Sequence, residues 1–163
     1  IRDRVFIDRQ YLGQTPLSGV PVKVGRRQLN MSVAGYDGIA ETLEIQPGPR
    51  EVLVRFKEVK LDLALDVVHK HRIGACQGRL VANPQGLRYE TTNKDDAFTT
   101  PLGSLEVFEV DYKEKILRVK LPKGRRLDFT DPGGNADKLF VFHRDVDKAR
   151  QRLAKGDAVP SQP

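Results

Sequence analysis

Cysteine, tryptophan and long apolar runs are scarce in this sequence. The single cysteine, Cys76, has no partner for a disulfide within the chain, and one thiol does not make a cysteine-rich zinc site. No run approaches the roughly 20 apolar residues of a membrane-spanning helix, and the start lacks the pattern of a signal peptide. These residues therefore exclude a disulfide scaffold and a helical membrane span, and they leave the redox compartment open.

The composition is that of a globular protein. Apolar residues make up 39% and charged residues 31% of the 163 residues, which is enough hydrophobic side chain for a packed core. A chain of this length forms one ordinary domain or two small ones. It begins at Ile1 within a strand-like run, which favours a piece of a larger protein.

Alternation of apolar and polar residues, the period of a half-buried strand, dominates the chain. Every odd position from residue 59 to residue 67 is aliphatic, which predicts a strand there. Strands are also predicted at residues 20–24, 29–33, 116–121, 127–130 and 139–142, with a hairpin turn at residues 25–28.

Helical spacing is confined to residues 145–154, where Asp145 is the predicted N-cap and Gly156 follows the end. The fold class is therefore all-β with one C-terminal helix. The pattern changes between Phe56 and Val59, so domains are predicted at residues 1–57 and 58–156, followed by a disordered tail at residues 157–163.

Turn and hairpin motifs mark the first part of the chain: residues 5–8 (VFID), 12–17 (LGQTPL), Gly25 and residues 33–36 (VAGY). By these motifs the first part resembles the PEGA domain. The resemblance covers residues 2–57 and departs at Arg9, where the family often has glycine, and after Gly25, where it often has histidine. It implies a small β-sandwich without catalytic residues, found in bacterial and archaeal proteins at the cell envelope or attached to signalling proteins.

A series of short motifs also marks the second part, residues 68–153: residues 78–80 (GRL), 86–89 (GLRY), 101–102 (PL) and then the terminal helix. In this order the second part is similar to a bacterial pleckstrin-homology-like domain of the GRAM-related kind. The similarity implies a seven-stranded barrel closed at one end by a helix.

Two histidines are the only candidate metal ligands at short spacing. His69 and His71 continue the odd phase of the strand predicted from residue 59 and project from one face. A zinc or copper site needs three or four ligands, and only His143, Cys76 or a carboxylate remains to complete it. The sequence therefore predicts no metal site, no cofactor and a buried, inert Cys76.

Catalytic motifs are missing as well. There is no Gly-x-Ser-x-Gly elbow, and residues 133–135 (GGN) lack the lysine and hydroxyl residue of a phosphate-binding loop. Neighbouring acidic residues such as Asp95 and Asp96 lie in predicted turns. The sequence predicts no catalytic residue and no enzyme.

One segment carries the whole net charge of the chain. Residues 113–126 hold seven basic residues against Glu114, a charge of +6, and the rest of the chain sums to zero. A solvated strand face explains such a segment, and so does a site for phosphate or acidic groups. Few aromatics accompany it, which disfavours nucleic acid. The candidate anion-binding residues are Lys113, Lys115, Arg118, Lys120, Lys123, Arg125 and Arg126.

The function predicted is therefore a non-catalytic binding or scaffolding module of a larger bacterial signalling or cell-envelope protein. Its partner is a protein or peptide; the alternative is peripheral binding to anionic lipid or another polyanion through the basic segment. An apolar groove beside the terminal helix would favour the first, and an exposed group of Lys120, Lys123, Arg125 and Arg126 the second. Localisation leans to the envelope, and the oligomeric state stays open.

Overall fold

The computed structural model describes residues 3–157. Its contacts divide the described residues into two compact units, one of residues 3–59 together with 151–157 and one of residues 60–150. Among the described residues the fold is mostly β, with two sheets and a single α-helix near the C-terminal end. The predicted fold class, all-β with one C-terminal helix, is confirmed.

The first unit is built on a four-stranded antiparallel sheet with the order β2-β1-β3-β4. One face buries Val5, Leu29 and Met31, and Val54 and Phe56 from the chain after the sheet pack against them. The strands are β1 (Arg4–Ile7), β2 (Gln10–Gln14), β3 (Gly25–Ser32) and β4 (Ile39–Ile45).

The residues that follow β3 form backbone hydrogen bonds with residues 57–59. The Val59 N–H donates to the Gly35 carbonyl at 2.9 Å, and the Asp37 N–H donates to the Lys57 carbonyl at 2.6 Å. Gly35 has a φ of 89°, which a residue with a side chain rarely adopts. Val59, 1% exposed, is thereby held in the first unit.

The first unit also contains the end of the chain. The Arg152 guanidinium lies 2.6 Å from the Asp37 carboxylate, and the Gly38 N–H donates to the Arg152 carbonyl at 3.3 Å. Gly156, in the 3₁₀ turn Lys155–Asp157, lies so close to the Met31 carbonyl that a Cβ there would clash with it.

The second unit is a seven-stranded antiparallel sheet with the order β8-β7-β6-β5-β11-β10-β9. Short 3₁₀ turns at Leu102–Ser104 and Pro122–Gly124 precede β9 and β11. The strands are β5 (Leu63–Lys70), β6 (Ala75–Asn83), β7 (Gly86–Thr91), β8 (Phe98–Thr100), β9 (Val107–Asp111), β10 (Ile116–Lys120) and β11 (Arg126–Thr130).

Helix α1 (Ala136–Ala154) supplies the remaining core of this unit. The buried Asp131 carboxylate accepts hydrogen bonds from the Gly133 and Asn135 N–H groups, and Asn135 in turn accepts one from the Asp137 N–H, so the turn before the helix is fixed. Its buried residues recur at helical spacing: Ala136, Leu139, Phe142, Val146 and Ala149. Among the described helices none is long and apolar enough to cross a membrane.

Three predicted elements differ from the structure. The helix begins at Ala136 rather than Asp145, because residues 139–142, predicted as a strand, continue its buried stripe. The predicted strand at residues 20–24 and turn at 25–28 are wrong, since β3 starts at Gly25 after an irregular segment. The strand predicted from Val59 starts at Leu63, because Val59 bonds to Gly35 instead.

The division between the units falls between Val59 and Lys60. The predicted domain bounds, residues 1–57 and 58–156, stay a prediction. Of the predicted tail, Asp157 ends the last 3₁₀ turn, and residues 158–163 lie outside the described residues.

Candidate functional site

A cluster of four side chains in the second unit contains the two histidines singled out by the sequence. His69 stands near the end of β5 and pairs directly with Cys76 near the start of β6. The hairpin between the strands is short, because the His71 N–H donates to the Gly74 carbonyl at 3.0 Å. The hairpin thus places a thiol beside both imidazoles.

The fourth member, Asp96, comes from the loop between β7 and β8. Asn93 fixes this loop: its backbone carbonyl accepts the Asp96 and Ala97 N–H groups, and its side-chain oxygen accepts the Asp95 N–H. The Asn93 amide also donates to Asp96 Oδ2 at 2.7 Å, which aims the carboxylate at the histidines.

The donor atoms of His69, His71, Cys76 and Asp96 all lie within 4.8 Å of one another. Asp96 Oδ2 is 3.0 Å from His71 Nε2, 3.5 Å from His69 Nδ1 and 3.4 Å from Cys76 Sγ. Cys76 Sγ is 3.8 Å from His69 Nδ1. Two nitrogens, one sulfur and one oxygen therefore converge on a single point.

The cluster lies at the edge of the aromatic part of the core. The His69 ring is 5.5 Å from that of Phe129 and 6.3 Å from that of Tyr89, and the Tyr89 hydroxyl is 3.4 Å from Cys76 Sγ. His69 is 7% exposed, whereas the His71 side chain is 28% exposed. Solvent thus reaches the cluster from the side of His71.

Burial and charge act on the titrating groups in opposite directions. Burial lowers the pKa of His69, and the nearby Asp96 carboxylate opposes it only in part. Burial alone would raise the pKa of Asp96, but the hydrogen bond from Cys76 and the charges of His69 and His71 outweigh it and hold that pKa below its ordinary value. Burial also raises the pKa of Tyr89, which stays a neutral phenol beside the thiol.

A thiol, an imidazole and a carboxylate also make up a nucleophilic triad, but the arrangement here differs. In a triad the nucleophile and the carboxylate contact opposite nitrogens of one imidazole. Here Cys76 and Asp96 both approach Nδ1 of His69 and contact each other directly. The thiol thus donates its hydrogen bond to the carboxylate and not to the imidazole. The geometry is that of donor atoms that converge on one point, not that of a triad.

Two of the further ligands named as candidates from the sequence, Cys76 and a carboxylate, lie beside His69 and His71, and the carboxylate is that of Asp96. Cys76 is half-buried among polar groups and is not the small buried hydrophobe expected. A hairpin turn read at residues 71–74 would have paired His69 with Cys76. No local pattern brings Asp96 to the histidines, because it reaches the site from the separate loop between β7 and β8.

The basic segment maps to β10 and the turns on either side of it. Arg118 is 3.2 Å from Asp111, Lys120 is 2.8 Å from Glu106, and Arg126 is 3.8 Å from Asp128. Arg125 instead reaches the cluster of His69, His71, Cys76 and Asp96: it lies 3.5 Å from Asp96 and donates to the Asp95 carbonyl.

Three of the predicted anion-binding residues have no ion pair within the described part of the chain: Lys113, Lys115 and Lys123. Lys113 and Lys115 lie in the turn between β9 and β10, and Lys123 lies in the turn between β10 and β11. All three are exposed. The seven cations therefore divide into four paired and three unpaired residues.

A shallow groove runs between the first half of β5 and helix α1. Its volume is about 350 Å³. The side chains on its two walls are mostly apolar, and three of them, on α1, are charged. The lining residues are Leu63, Ala64 and Leu65 on β5, and Asp137, Lys138, Val141, Phe142 and Asp145 on α1. We call this surface the β5–α1 groove.

The strand that forms one wall of this groove has an open edge. β6 pairs with β5 along its whole length, but β11 pairs with β5 only at Val68 and His69. Among the described residues no strand pairs with the other side of β5 from residue 63 to residue 67. Val67 is fully buried, and the backbone donors and acceptors of residues 63–66 on that side are available to an incoming strand.

Comparison with protein families matches residues 2–62 to the PEGA domain. This match confirms the predicted resemblance of the first part, and the PEGA domain is a non-enzymatic family. The resemblance of the second part to pleckstrin-homology-like domains stays a prediction.

Comparison with solved structures matches a crystal structure of the C-terminal domain of an unknown protein from Leishmania infantum. The two share 15% sequence identity, the match covers 54% of this chain and 84% of that one, and the TM-score is 0.40. A similarity this low carries no argument. No curated protein matches the chain.

Proposed function

We propose that this chain is a non-catalytic protein-binding module of a larger bacterial signalling or cell-envelope protein. In this proposal the first unit is a PEGA domain and the second a pleckstrin-homology-like domain that binds an extended peptide segment of a partner protein. The family match of residues 2–62 supports the first half of the proposal. Seven strands followed by one packed helix support the second.

The observation that carries the proposal is the open edge of β5 inside the β5–α1 groove. An extended peptide that adds to a sheet edge gains affinity from main-chain hydrogen bonds and specificity from pockets for alternate side chains. Residues 63–66 offer the edge, and the apolar walls on both sides of the groove offer the pockets. An apolar groove beside the terminal helix is also the feature expected of a peptide-binding module.

The chemistry of the groove specifies the occupant as an extended segment with alternating apolar residues. A helical ligand would leave the backbone groups of the β5 edge without partners. Of the acidic residues that line the groove, Asp145 pairs with Arg144 at 2.9 Å and Asp137 accepts a hydrogen bond from the Tyr112 hydroxyl. The groove therefore favours apolar side chains rather than a charged one.

Selection of a displayed library of random 12-residue peptides on the intact chain tests the proposal. Selected peptides should alternate apolar and polar residues and should shift the amide resonances of residues 63–67. Val141→Glu places a charge on the groove wall, and we expect it to weaken their binding about tenfold or more, since burying an unpaired charge costs at least 1.4 kcal/mol or so.

Phe140→Glu is the matched control. Phe140 is the neighbouring helix residue, is 47% exposed against 43% for Val141, and does not line the groove. The control should bind the selected peptides like the unaltered chain. Failure to select any peptide, or equal binding by the Val141 variant, would refute the proposal.

Binding of a polyanion through the basic segment stays the alternative. Four of its seven cations already have carboxylate or carbonyl partners, and no observation favours an anion site over these pairs.

A further inference from the structure

We propose that His69, His71, Cys76 and Asp96 bind one zinc ion at a structural site that joins β5, β6 and the β7–β8 loop. Nothing in the family match of residues 2–62 bears on this site, which lies in the second unit. The proposal is independent of peptide binding in the β5–α1 groove.

The spacing of the donor atoms is that of a tetrahedral site. With zinc–ligand bonds of about 2.0 to 2.3 Å, tetrahedral donors lie roughly 3.3 to 3.6 Å apart. Four of the donor pairs are separated by 3.0 Å (His71 Nε2 to Asp96 Oδ2) to 3.8 Å (Cys76 Sγ to His69 Nδ1). No pair is more than 4.8 Å apart. Pairs at 3.0 to 3.8 Å need shifts of a few tenths of an ångström to reach zinc geometry, and a pair at the 4.8 Å limit must close by roughly 1.2 Å.

Hydrogen bonding alone explains the cluster poorly. A carboxylate oxygen has about two lone-pair sites. Four atoms lie within 3.5 Å of Asp96 Oδ2: Asn93 Nδ2, His71 Nε2, Cys76 Sγ and His69 Nδ1. A cation at the centre would bind the two imidazoles and the sulfur directly and leave Oδ2 with the metal and Asn93.

The donor set selects the metal. Imidazole, thiolate and carboxylate together suit zinc, a borderline-soft ion, whereas magnesium and calcium prefer oxygen ligands alone. Thiolate and carboxylate carry two negative charges that balance the ion. The thiol proton now held toward Asp96 is released to solvent when the metal binds.

Supporting contacts hold the ligands in place. Asn93 donates to Asp96 Oδ2 at 2.7 Å, and Arg125 lies 3.5 Å from Oδ1, the other oxygen of the same carboxylate. Such second-shell contacts fix the ligand geometry of metal sites. Four protein ligands leave no position for a substrate, so the site is structural.

Cobalt substitution tests the proposal on the intact chain. After removal of metals with a chelator, titration with Co²⁺ should give the intense visible bands of a tetrahedral complex and a thiolate-to-metal charge-transfer band, with a break at one ion per chain. Zn²⁺ should displace the cobalt and raise the thermal midpoint of unfolding. Elemental analysis of the zinc-loaded protein should return one zinc per chain.

His71→Ala is the first variant, because His71 is the most exposed of the histidine ligands and its loss leaves the core intact. We expect it to weaken metal binding by about 100-fold or more. Cys76→Ser should remove the charge-transfer band and is the second variant. The control is His143→Gln. His143 contacts the Phe108 carbonyl at 2.9 Å, and glutamine keeps a polar group near that carbonyl. Residue 143 lies far from the four cluster residues in the sequence.

The control should bind cobalt like the unaltered chain, with the same spectrum. The proposal is overturned if the unaltered chain binds less than one ion tightly, if its cobalt complex lacks the charge-transfer band, or if the His71 and Cys76 variants bind like the control. A circular dichroism spectrum of each variant establishes that it is folded.

Discussion

Gly78 illustrates how one missing side chain positions the aromatic residues around the cluster. It lies in β6, opposite Val67 on β5 and Thr91 on β7. A Cβ built on it would come within 2.5 Å of the Tyr89 ring and would also strike the Glu90 carbonyl. The Tyr89 ring occupies the space that a side chain at residue 78 would fill, which leaves its hydroxyl beside Cys76.

Gly78→Ala should therefore destabilise the protein by about 1 to 3 kcal/mol, the usual cost of overpacking. Urea denaturation followed by circular dichroism measures the change. Gly103→Ala is the control, because no atom lies near the Cβ position of Gly103, and its effect should stay within about 0.5 kcal/mol. Equal stability of the two variants would contradict the close packing at Gly78.

Strand β10 sets the arrangement of the basic segment at the scale of the element. Leu117 and Val119 are fully buried, so the intervening Arg118 turns to the other face, where Glu109 and Asp111 of β9 lie opposite. Cross-strand pairs of opposite charge of this kind stabilise a sheet modestly. Both cations of β10, Arg118 and Lys120, are therefore paired with carboxylates.

Retention on vesicles with acidic lipid should accordingly depend on the unpaired lysines. Each cation near an anionic membrane contributes about 1 kcal/mol, so Lys113, Lys115 and Lys123 together would give weak binding that disappears at high salt. Replacing these three with serine should remove most of the retention in a cosedimentation assay.

The matched triple replacement is Arg118, Lys120 and Arg126 by serine, which removes the same charge from paired positions. It should remove less of the retention. No retention of the unaltered chain, or equal loss in both variants, would leave the segment as a solvated strand face.

Alternation made the strands of the second unit predictable, whereas elements with ambiguous periods were not. Residues 116–121 and 127–130 alternate cleanly and were placed within a residue or so of β10 and β11. Residues 139–142 (LFVF) are continuously apolar, and a run of four fits a strand as well as a helix. Only the buried spacing across the whole of α1, from Ala136 to Ala149, resolves them as helix.

The candidate site was half visible in the sequence for a related reason. His69 and His71 share a strand phase, which periodicity reveals. Cys76 faces His69 only because the turn at residues 71–74 sets the register of β5 and β6. Asp96 lies in the β7–β8 loop and contacts the β5–β6 hairpin, 20 residues or more away in the sequence. No local pattern encodes such a contact. Periodicity identifies faces, but tertiary packing completes the ligand set.

At the scale of the whole molecule, the first unit is not a continuous stretch of chain. Residues 151–157 belong to it by their contacts, although the resemblance to the PEGA domain and the family match both end by residue 62. Arg152 pairs with Asp37, and Gly156 packs against the carbonyl of Met31, a core residue of the sheet. The sequence, which placed this segment in the second domain and the tail, gave no sign of these contacts.

Ending the chain after Arg150 should therefore destabilise the first unit selectively. The truncation removes the ion pair to Asp37 and uncovers the backbone of β3 around Met31, where the loss of buried contacts lowers the free energy of local opening. Hydrogen exchange at residues 28–32 should accelerate about tenfold or more, which corresponds to roughly 1.4 kcal/mol, while exchange in the central strands β6 and β10 should change little.

Arg152→Ala keeps Gly156 in place and should give an intermediate effect, because an ion pair between half-exposed side chains contributes about 1 kcal/mol or less. Unchanged exchange at residues 28–32 in the truncated chain would mean that residues 3–59 form a complete folding unit by themselves, as the predicted boundary near residue 57 implies.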